Sequence, residues 1–542
     1  MDKYHKEIPE FDLKKIGSIN FGNLEGEKDT KLSDSFFITD SILNLIQGRY
    51  NYVISPKGGG KSAVFRALNE KLLDFGDYFE YEKYSIVPIN NAFVFETDYL
   101  PTEKFKIEDN RKTYTLSWAL YFLTELINDI KKNHTDKQNY NSFIKKVARV
   151  EKLKEDFRLY NIIDIINNFN LGLTFSVSGL PIEMSPTIKI NEKTDKLVLN
   201  NLFVEINKFY KENNLTALIL IDRLDNFVRK EAYHIQKNYI QGLIDCIEEI
   251  SILENIAPVL FIRTDLFYAY DIDFEYDKVK ERTIELNWSE DETLNFIVYR
   301  LLSNNYIQNN YGDYFNFVIE EGFSGKHRHT KNNLNTLWKR FKNIFKKDEA
   351  KYDLKRTLGY TIAEKFIRLF FPKTVGESNT DFCIWITESL KDSNSFVNPR
   401  VVIYFFNQLF DLQKQFYKDN PVNVDIKLKA QNNTDEYHFD IFKQEVIEQV
   451  YNKVRNDELR NILKILKNSN SQAIFKEINL RTINKTKFHY GDINVKKLGV
   501  QKDEYDRVLK YLSLLGFCKE VEKQVYEIPK IYRYEMTLQT VE

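Results

Sequence analysis

The run Ser55-Pro56-Lys57-Gly58-Gly59-Gly60-Lys61-Ser62 constrains this chain more than any other stretch. Upstream stands the short apolar run Tyr52-Val53-Ile54. Downstream comes a helical pattern, Ala63-Val64-Phe65-Arg66-Ala67-Leu68. Strand, glycine-rich turn and helix follow in the order that a phosphate-binding loop requires. Small residues let successive backbone N–H groups converge on a phosphate chain. The helix that follows adds its positive N-terminal end. Residues 55–63 are therefore the expected binding segment for a nucleoside triphosphate. Lys61 would reach the β- and γ-phosphates, and the Ser62 hydroxyl would ligate Mg²⁺. The usual pattern opens on glycine, and Ser55 departs from it where a tight turn restricts any residue with a Cβ. The alternative is a plain Gly/Lys turn without phosphate.

A length of 542 residues suggests roughly three domains at ~150 residues each. The chain carries 78 basic and 79 acidic side chains, so bulk charge attracts neither nucleic acid nor membrane. Any such site would be a local patch. Cys246, Cys383 and Cys518 are far apart and form no CxxC pair, which argues against a zinc site or a disulfide framework. The N-terminus lacks an apolar signal core, and no run approaches the ~20 apolar residues that span a bilayer. A soluble, cytoplasmic protein without membrane contact is the expectation.

Strand patterns fall at Tyr84–Ile89, Leu215–Asp222, Ala257–Ile262 and Thr283–Leu286. Helical patterns lie between them: from the glycine run to about Phe75, over Tyr114–Ile130, over Asp195–Tyr210 and around Tyr233–Ile250. Near-continuous apolar strands alternating with helices predict an α/β fold, a doubly wound parallel sheet with ligands at the carboxyl ends of its strands. Residues 1–48 form an entry segment and 49–288 the core, with an insertion at about 100–200. Its less regular stretch, 135–200, reads as helices and a small hairpin near Leu171–Ser178. A mainly helical stretch, 289–417, opens at a cap on Ser289. The polar stretch 418–440 reads as a linker. Residues 441–542 read as a small α+β domain with helices at Leu459–Leu466 and Gln472–Ile478. An apolar face from Tyr505 to Leu515 then stops at Gly516, ahead of two strands joined by Glu522-Lys523-Gln524.

Asp222 ends an apolar strand, where a carboxylate that helps hold Mg²⁺ belongs; a carboxylate that only caps the buried strand is the alternative. Many ATPases put a water-activating Glu next, but Arg223 stands there. Asp225 is the candidate to polarise the attacking water, with ordinary Asp-Asn turn chemistry as its alternative. Arg263 and Thr264 close the neighbouring strand and could contact the γ-phosphate; a structural cluster with Asp265 reads equally well. Arg282 could serve a neighbouring copy's nucleotide as an arginine finger, which would require a homo-oligomer. A surface ion pair is the alternative.

These segments resemble those of bacterial P-loop ATPases of the AAA+ and STAND (KAP-like) class. Ser55–Ser62 resembles the AAA+ form of the loop, in which Pro follows the first Gly. Asp222-Arg223-Leu224-Asp225 resembles an Asp-x-x-Asp Walker B, and Arg263-Thr264-Asp265 a sensor-1 region. Leu286-Asn287-Trp288-Ser289 resembles the entry to a helical lid. Asn398-Pro399-Arg400 resembles the start of a sensor-2 helix, whose Arg400 can reach the γ-phosphate. The resemblance covers roughly residues 17–415. It implies a P-loop NTPase core with a helical insertion and a helical lid, ATP and Mg²⁺ as cofactors, and ATPase switch or motor activity. A role in anti-phage defence, with effector chemistry on a separately encoded protein, is also implied at family level. The alternative is a nucleotide-responsive DNA-binding regulator or scaffold with little hydrolysis, which Arg223 favours.

Residues 326–356 are locally basic, with Leu334, Trp338, Phe341 and Phe345 at helical spacing. They read either as an amphipathic helix with a solvated basic face or as a DNA or RNA contact. The last hundred residues resemble a winged helix. Such domains bind DNA or pack on a partner protein. The charges on the recognition-helix candidate, Lys502, Arg507 and Lys510, are offset by Asp503, Glu504 and Asp506.

Overall fold

The computed structural model describes residues 8–48, 50–72, 79–89, 111–147, 173–175, 182–184, 197–224, 233–269, 276–324, 360–376, 379–420, 427–433, 436–466, 468–483 and 485–533. The chain divides into two compact units. One comprises residues 1–43, 55–63 and 286–542, the other 44–54 and 64–285.

The second unit is built on a five-stranded parallel sheet. Its strands are β1 (Tyr52–Ser55), β2 (Tyr84–Ile89), β3 (Thr216–Ile221), β4 (Ile256–Arg263) and β5 (Thr283–Glu285). The order across the sheet is β2-β3-β4-β1-β5. Register is set by pairs such as Ile89 with Ile221, Ile221 with Leu260 and Tyr52 with Thr283. Parallel neighbours need crossovers, and the helices supply them. These are α1 (Lys61–Asn69), α2 (Arg111–Asn133), α3 (Leu199–Glu212) and α4 (Tyr233–Ile250). The predicted doubly wound α/β core is thus present.

One apolar core joins Trp118, Phe122 and Leu126 of α2, Phe203 and Ile206 of α3, and Tyr239, Leu243 and Ile247 of α4. The Trp118 and Tyr239 rings lie 5.2 Å apart. Inside this core sits a polar knot. Ser85 Oγ donates to Asp129 Oδ2 at 2.6 Å, Tyr210 OH donates to the same oxygen at 2.7 Å, and Asn133 Nδ2 donates to Oδ1 at 2.7 Å. His134 Nε2 stands 2.8 Å from Ser85 Oγ. With the Ser85 proton committed to Asp129, Nε2–H is the donor of that pair.

Helix α1 stops at Asn69, short of the predicted end near Phe75. Lys71 takes a left-handed backbone (φ 50°), and Leu72 N–H returns to Ala67 O at 3.0 Å. This is a helix-ending turn made without glycine. The expected hairpin in the insertion is present as Leu173–Phe175 against Ile182–Met184, and Leu197–Val198 adds a parallel third strand. The remaining residues of 148–196 lie outside the described residues.

The other unit is mainly helical. Among the described residues, its longer helices are α5 (Glu290–Leu302), α6 (Asn305–Ser324), α7 (Tyr360–Phe370), α8 (Phe382–Leu390), α9 (Pro399–Asp419), α10 (Gln444–Ile465), α11 (Ser469–Arg481) and α12 (Lys502–Leu514). Ser289 caps α5 in a reciprocal box with Glu292, as its sequence predicts. Asn398 caps α9 and Pro399 opens it, the position where a missing N–H costs nothing. Helix α10 is much longer than the predicted Leu459–Leu466. Its first half is dense in Gln, Glu, Asn and Lys, which hides Val446, Ile447, Val450 and Val454 on one buried face.

The N-terminal segment belongs to this unit. Phe11–Asp12 pairs antiparallel with Lys427–Leu428, inside the stretch read as a linker. The Phe21 ring stacks on Phe406 of α9 at 4.5 Å. Asp29 Oδ2 accepts from Arg300 Nη1 of α5 at 2.7 Å, and both side chains are buried. At the C-terminal end, β6 (Lys487–His489), β7 (Lys519–Glu522) and β8 (Val525–Glu527) form a small antiparallel sheet in the order β6-β8-β7. The two predicted wing strands are β7 and β8. The sequence pattern did not reveal β6, which is only three residues long. Residues 326–356 lie outside the described residues. Cys246, Cys383 and Cys518 are buried free thiols. Among the described residues no helix is long and apolar enough to cross a membrane.

Candidate nucleotide-binding loop

Residues 55–63 form a tight loop between β1 and α1. Gly58 (φ +90°) and Gly60 (φ +101°) take a backbone conformation that side chains strongly disfavour. Gly58 is also pressed from outside. A Cβ there would lie 2.6 Å from Asn398 Oδ1 and 3.1 Å from Arg400 Cβ. The start of α9 therefore packs directly on the glycine turn. Asn398 Nδ2 donates to Lys57 O at 2.7 Å, while Asn398 Oδ1 accepts from Arg400 N at 3.0 Å. Trp288 Nε1, just ahead of α5, donates to Gly59 O at 3.3 Å. A Cβ on Gly59 would lie 2.9 Å from the Phe396 ring and would collide with Ser55 Oγ. Beside Gly60, by contrast, no atom of the described residues other than its chain neighbours lies within 4 Å of a Cβ position.

The N-terminal segment closes on the same loop. A Cβ on Gly26 would come within 3.1 Å of Ala63 N. Arg400 Nε donates to Leu24 O at 3.1 Å. Three stretches far apart in sequence thus converge on nine residues. Lys57–Gly59, Arg400 and Trp288 were singled out in the sequence, and they meet here. Leu24, Gly26 and Phe396 were not. No local pattern marks them, because only the packing brings them to the loop.

Lys61 is buried, and its Nζ donates to Ser55 O at 2.6 Å and to Pro56 O at 2.9 Å. The Ser55 hydroxyl is buried, with no hydrogen-bond partner among the described residues. Such an orphan costs about 1–3 kcal/mol. On α10, burial pushes the Glu458 carboxyl up, against the pull of the Asn461 amide and of the Arg400 and Lys57 charges. Its neighbour Asp457 accepts from Tyr404 OH, one turn after Arg400, at 2.6 Å. The loop residues fit a Mg²⁺–nucleotide: a cradle without Cβ atoms, the N–H groups that open α1, the Lys61 ammonium and the Ser62 hydroxyl.

The remaining candidates belong to the sheet unit. Asp222 follows β3, buried, and its N–H donates to Ile89 O at 2.9 Å. Arg223 takes a left-handed backbone at φ +66°. Asp225 lies outside the described residues. Arg263 makes a two-point pair with Asp265, Nε to Oδ1 at 2.8 Å and Nη2 to Oδ2 at 2.6 Å, both residues buried. Thr264 Oγ1 is buried, with no hydrogen-bond partner among the described residues. Arg282 is half-buried and lies 3.4 Å from Glu248.

No family model matches the chain, and no curated protein matches it. Among solved structures it is similar to the ORC2 protein of Aeropyrum pernix, described as ADPNP–ADP complexes. Identity is 9%, coverage 93% of this chain and 94% of that one, and the TM-score 0.35. It is also similar to Cdc6p from Pyrobaculum aerophilum. Identity there is 10%, coverage 92% and 94%, and the TM-score 0.26. At these scores the likeness carries no weight, and the fold rests on the sheet order and helices given above.

Proposed function

We propose that this chain binds ATP with Mg²⁺ at residues 55–63 and works as a nucleotide-dependent switch of the AAA+-like P-loop kind. The observation that carries the reading is the clamp on the glycine turn. Asn398 holds Lys57 O, Arg400 packs on Gly58, and Trp288 holds Gly59 O. A plain Gly/Lys turn would need no such set of polar tethers. In this reading Lys61 meets the β- and γ-phosphates, Ser62 ligates the metal, and Arg400 adds positive charge beside the phosphates. Bound Mg²⁺ would neutralise the phosphate charge.

Lys61→Ala tests it. Removing one charge-assisted contact should weaken binding by about 10- to 100-fold, read by calorimetry with ADP and Mg²⁺. Unchanged affinity would sink the assignment. A second reading, a nucleotide-responsive regulator with little hydrolysis, is favoured by two observations. Arg223 stands where a water-activating carboxylate is expected, and Arg263 is already tied to Asp265. Phosphate release by the wild type separates the two. Turnover abolished in Asp222→Asn supports the ATPase, whereas binding without turnover supports the regulator.

A further inference from the structure

Ser55 places a polar group where the fold makes no use of one. It ends β1 fully buried, and its carbonyl oxygen accepts from Lys61 Nζ. The hydroxyl lies inside the turn, against Gly59, with no hydrogen-bond partner. The turn closes without it, since Gly59 N–H donates to Pro56 O at 3.1 Å. Glycine or alanine would fill the strand end at no polar cost. The orphan hydroxyl is set in the loop that leads into α1, a helix of nine residues whose N-terminal N–H groups favour an anion. Two independent features, a helix start and a buried donor without an acceptor, point to the same ligand chemistry.

We propose that Ser55 is a phosphate-contacting residue, its Oγ–H donating to a phosphoryl oxygen of a nucleoside polyphosphate held at the start of α1. The inference rests on the nucleotide reading of the loop and adds a donor at a position where the usual pattern has glycine and none. Lys61 must then leave Ser55 O and Pro56 O for the phosphate, so both groups of Ser55 change partners on binding. The hydroxyl also explains why residue 59 carries no side chain: the space a Cβ would need is occupied by Ser55 Oγ.

The experiment compares the full chain with Ser55→Ala and Ser55→Gly. Each is titrated with ADP and with a non-hydrolysable ATP analogue in Mg²⁺ by calorimetry, and its thermal unfolding is followed without nucleotide. The expected result is an affinity about tenfold lower or weaker in both variants. The unfolding temperature of Ser55→Ala should equal or exceed that of the wild type, because an unpartnered polar group is gone. Affinity within twofold of wild type, or tighter, would overturn the proposal and leave Ser55 a spacer. A drop in unfolding temperature that tracks the loss of affinity would also overturn it. Nucleotide binding by the wild type with Ser55→Ala unaffected removes only the role of Ser55. No binding by the wild type removes the nucleotide reading itself.

Discussion

Asp29→Ala is expected to destabilise the helical unit by about 3–5 kcal/mol, because it leaves the Arg300 guanidinium buried without its counter-charge. The two side chains meet at 2.7 Å and are 1% and 3% exposed, so water cannot substitute for the lost partner. Arg300 Nη1 keeps one neutral acceptor, Phe21 O at 2.9 Å. Asp29 also accepts from the backbone N–H groups of Asn23 and Lys31, both at 3.2 Å, so alanine unties the whole bend from residue 21 to residue 31. The paired change Asp29→Leu with Arg300→Met should cost less than Asp29→Ala alone, since a buried ion pair replaced by apolar groups is often near neutral. Urea unfolding checks the size of the effect. Hydrogen exchange checks its place: faster exchange should appear in residues 20–35 and in α5. A double variant no better than the single one would remove the buried-charge argument.

Asp129→Ala should cost about 3 kcal/mol in the sheet unit. It strips the acceptor from Ser85, Tyr210 and Asn133 at once, and each buried donor left unpaired costs about 1–3 kcal/mol, less than additively. Tyr210→Phe, which removes one donor and leaves the acceptor, should cost about 1 kcal/mol. The same carboxylate gives the unit an acid limit. Burial pushes the Asp129 carboxyl up, but hydrogen bonds from His134, Ser85, Tyr210 and Asn133 outweigh it and hold the group below the ordinary value of 3.8. A carboxyl lowered by folding contributes stability that is complete above its unfolded value and lost as pH falls through the folded one. Wild-type stability should therefore fall below about pH 4, and Asp129→Ala should show a shallower acid slope. Equal slopes in the two proteins would show that Asp129 is not the group responsible.

The glycine turn was readable because its demand is local: three glycines, a lysine and a serine between a strand and a helix. Strands β3 and β4 were readable because a strand buried on both faces becomes an almost unbroken apolar run. What the sequence does not display is arrangement. The order β2-β3-β4-β1-β5 depends on crossovers, which leave no periodic mark. The end of α1 was misplaced because Lys71, not a glycine, takes the left-handed turn. The cluster of Ser85, Asp129, His134 and Tyr210 is spread over 125 positions, and each member reads alone as an ordinary polar interruption of an apolar face. Leu24 and Gly26 reach the loop through the packing of the N-terminal segment on α5 and α9, a tertiary fact with no spacing of its own.

The Asn398 amide has two ends with separate tasks. Its oxygen holds the first turn of α9, and its nitrogen holds the carbonyl of Lys57. Aspartate, differing by one atom, would preserve the oxygen's task and turn the other end into a second acceptor facing an acceptor. Helix and turn are therefore joined by a chemical hyphen that nature can delete without touching either word.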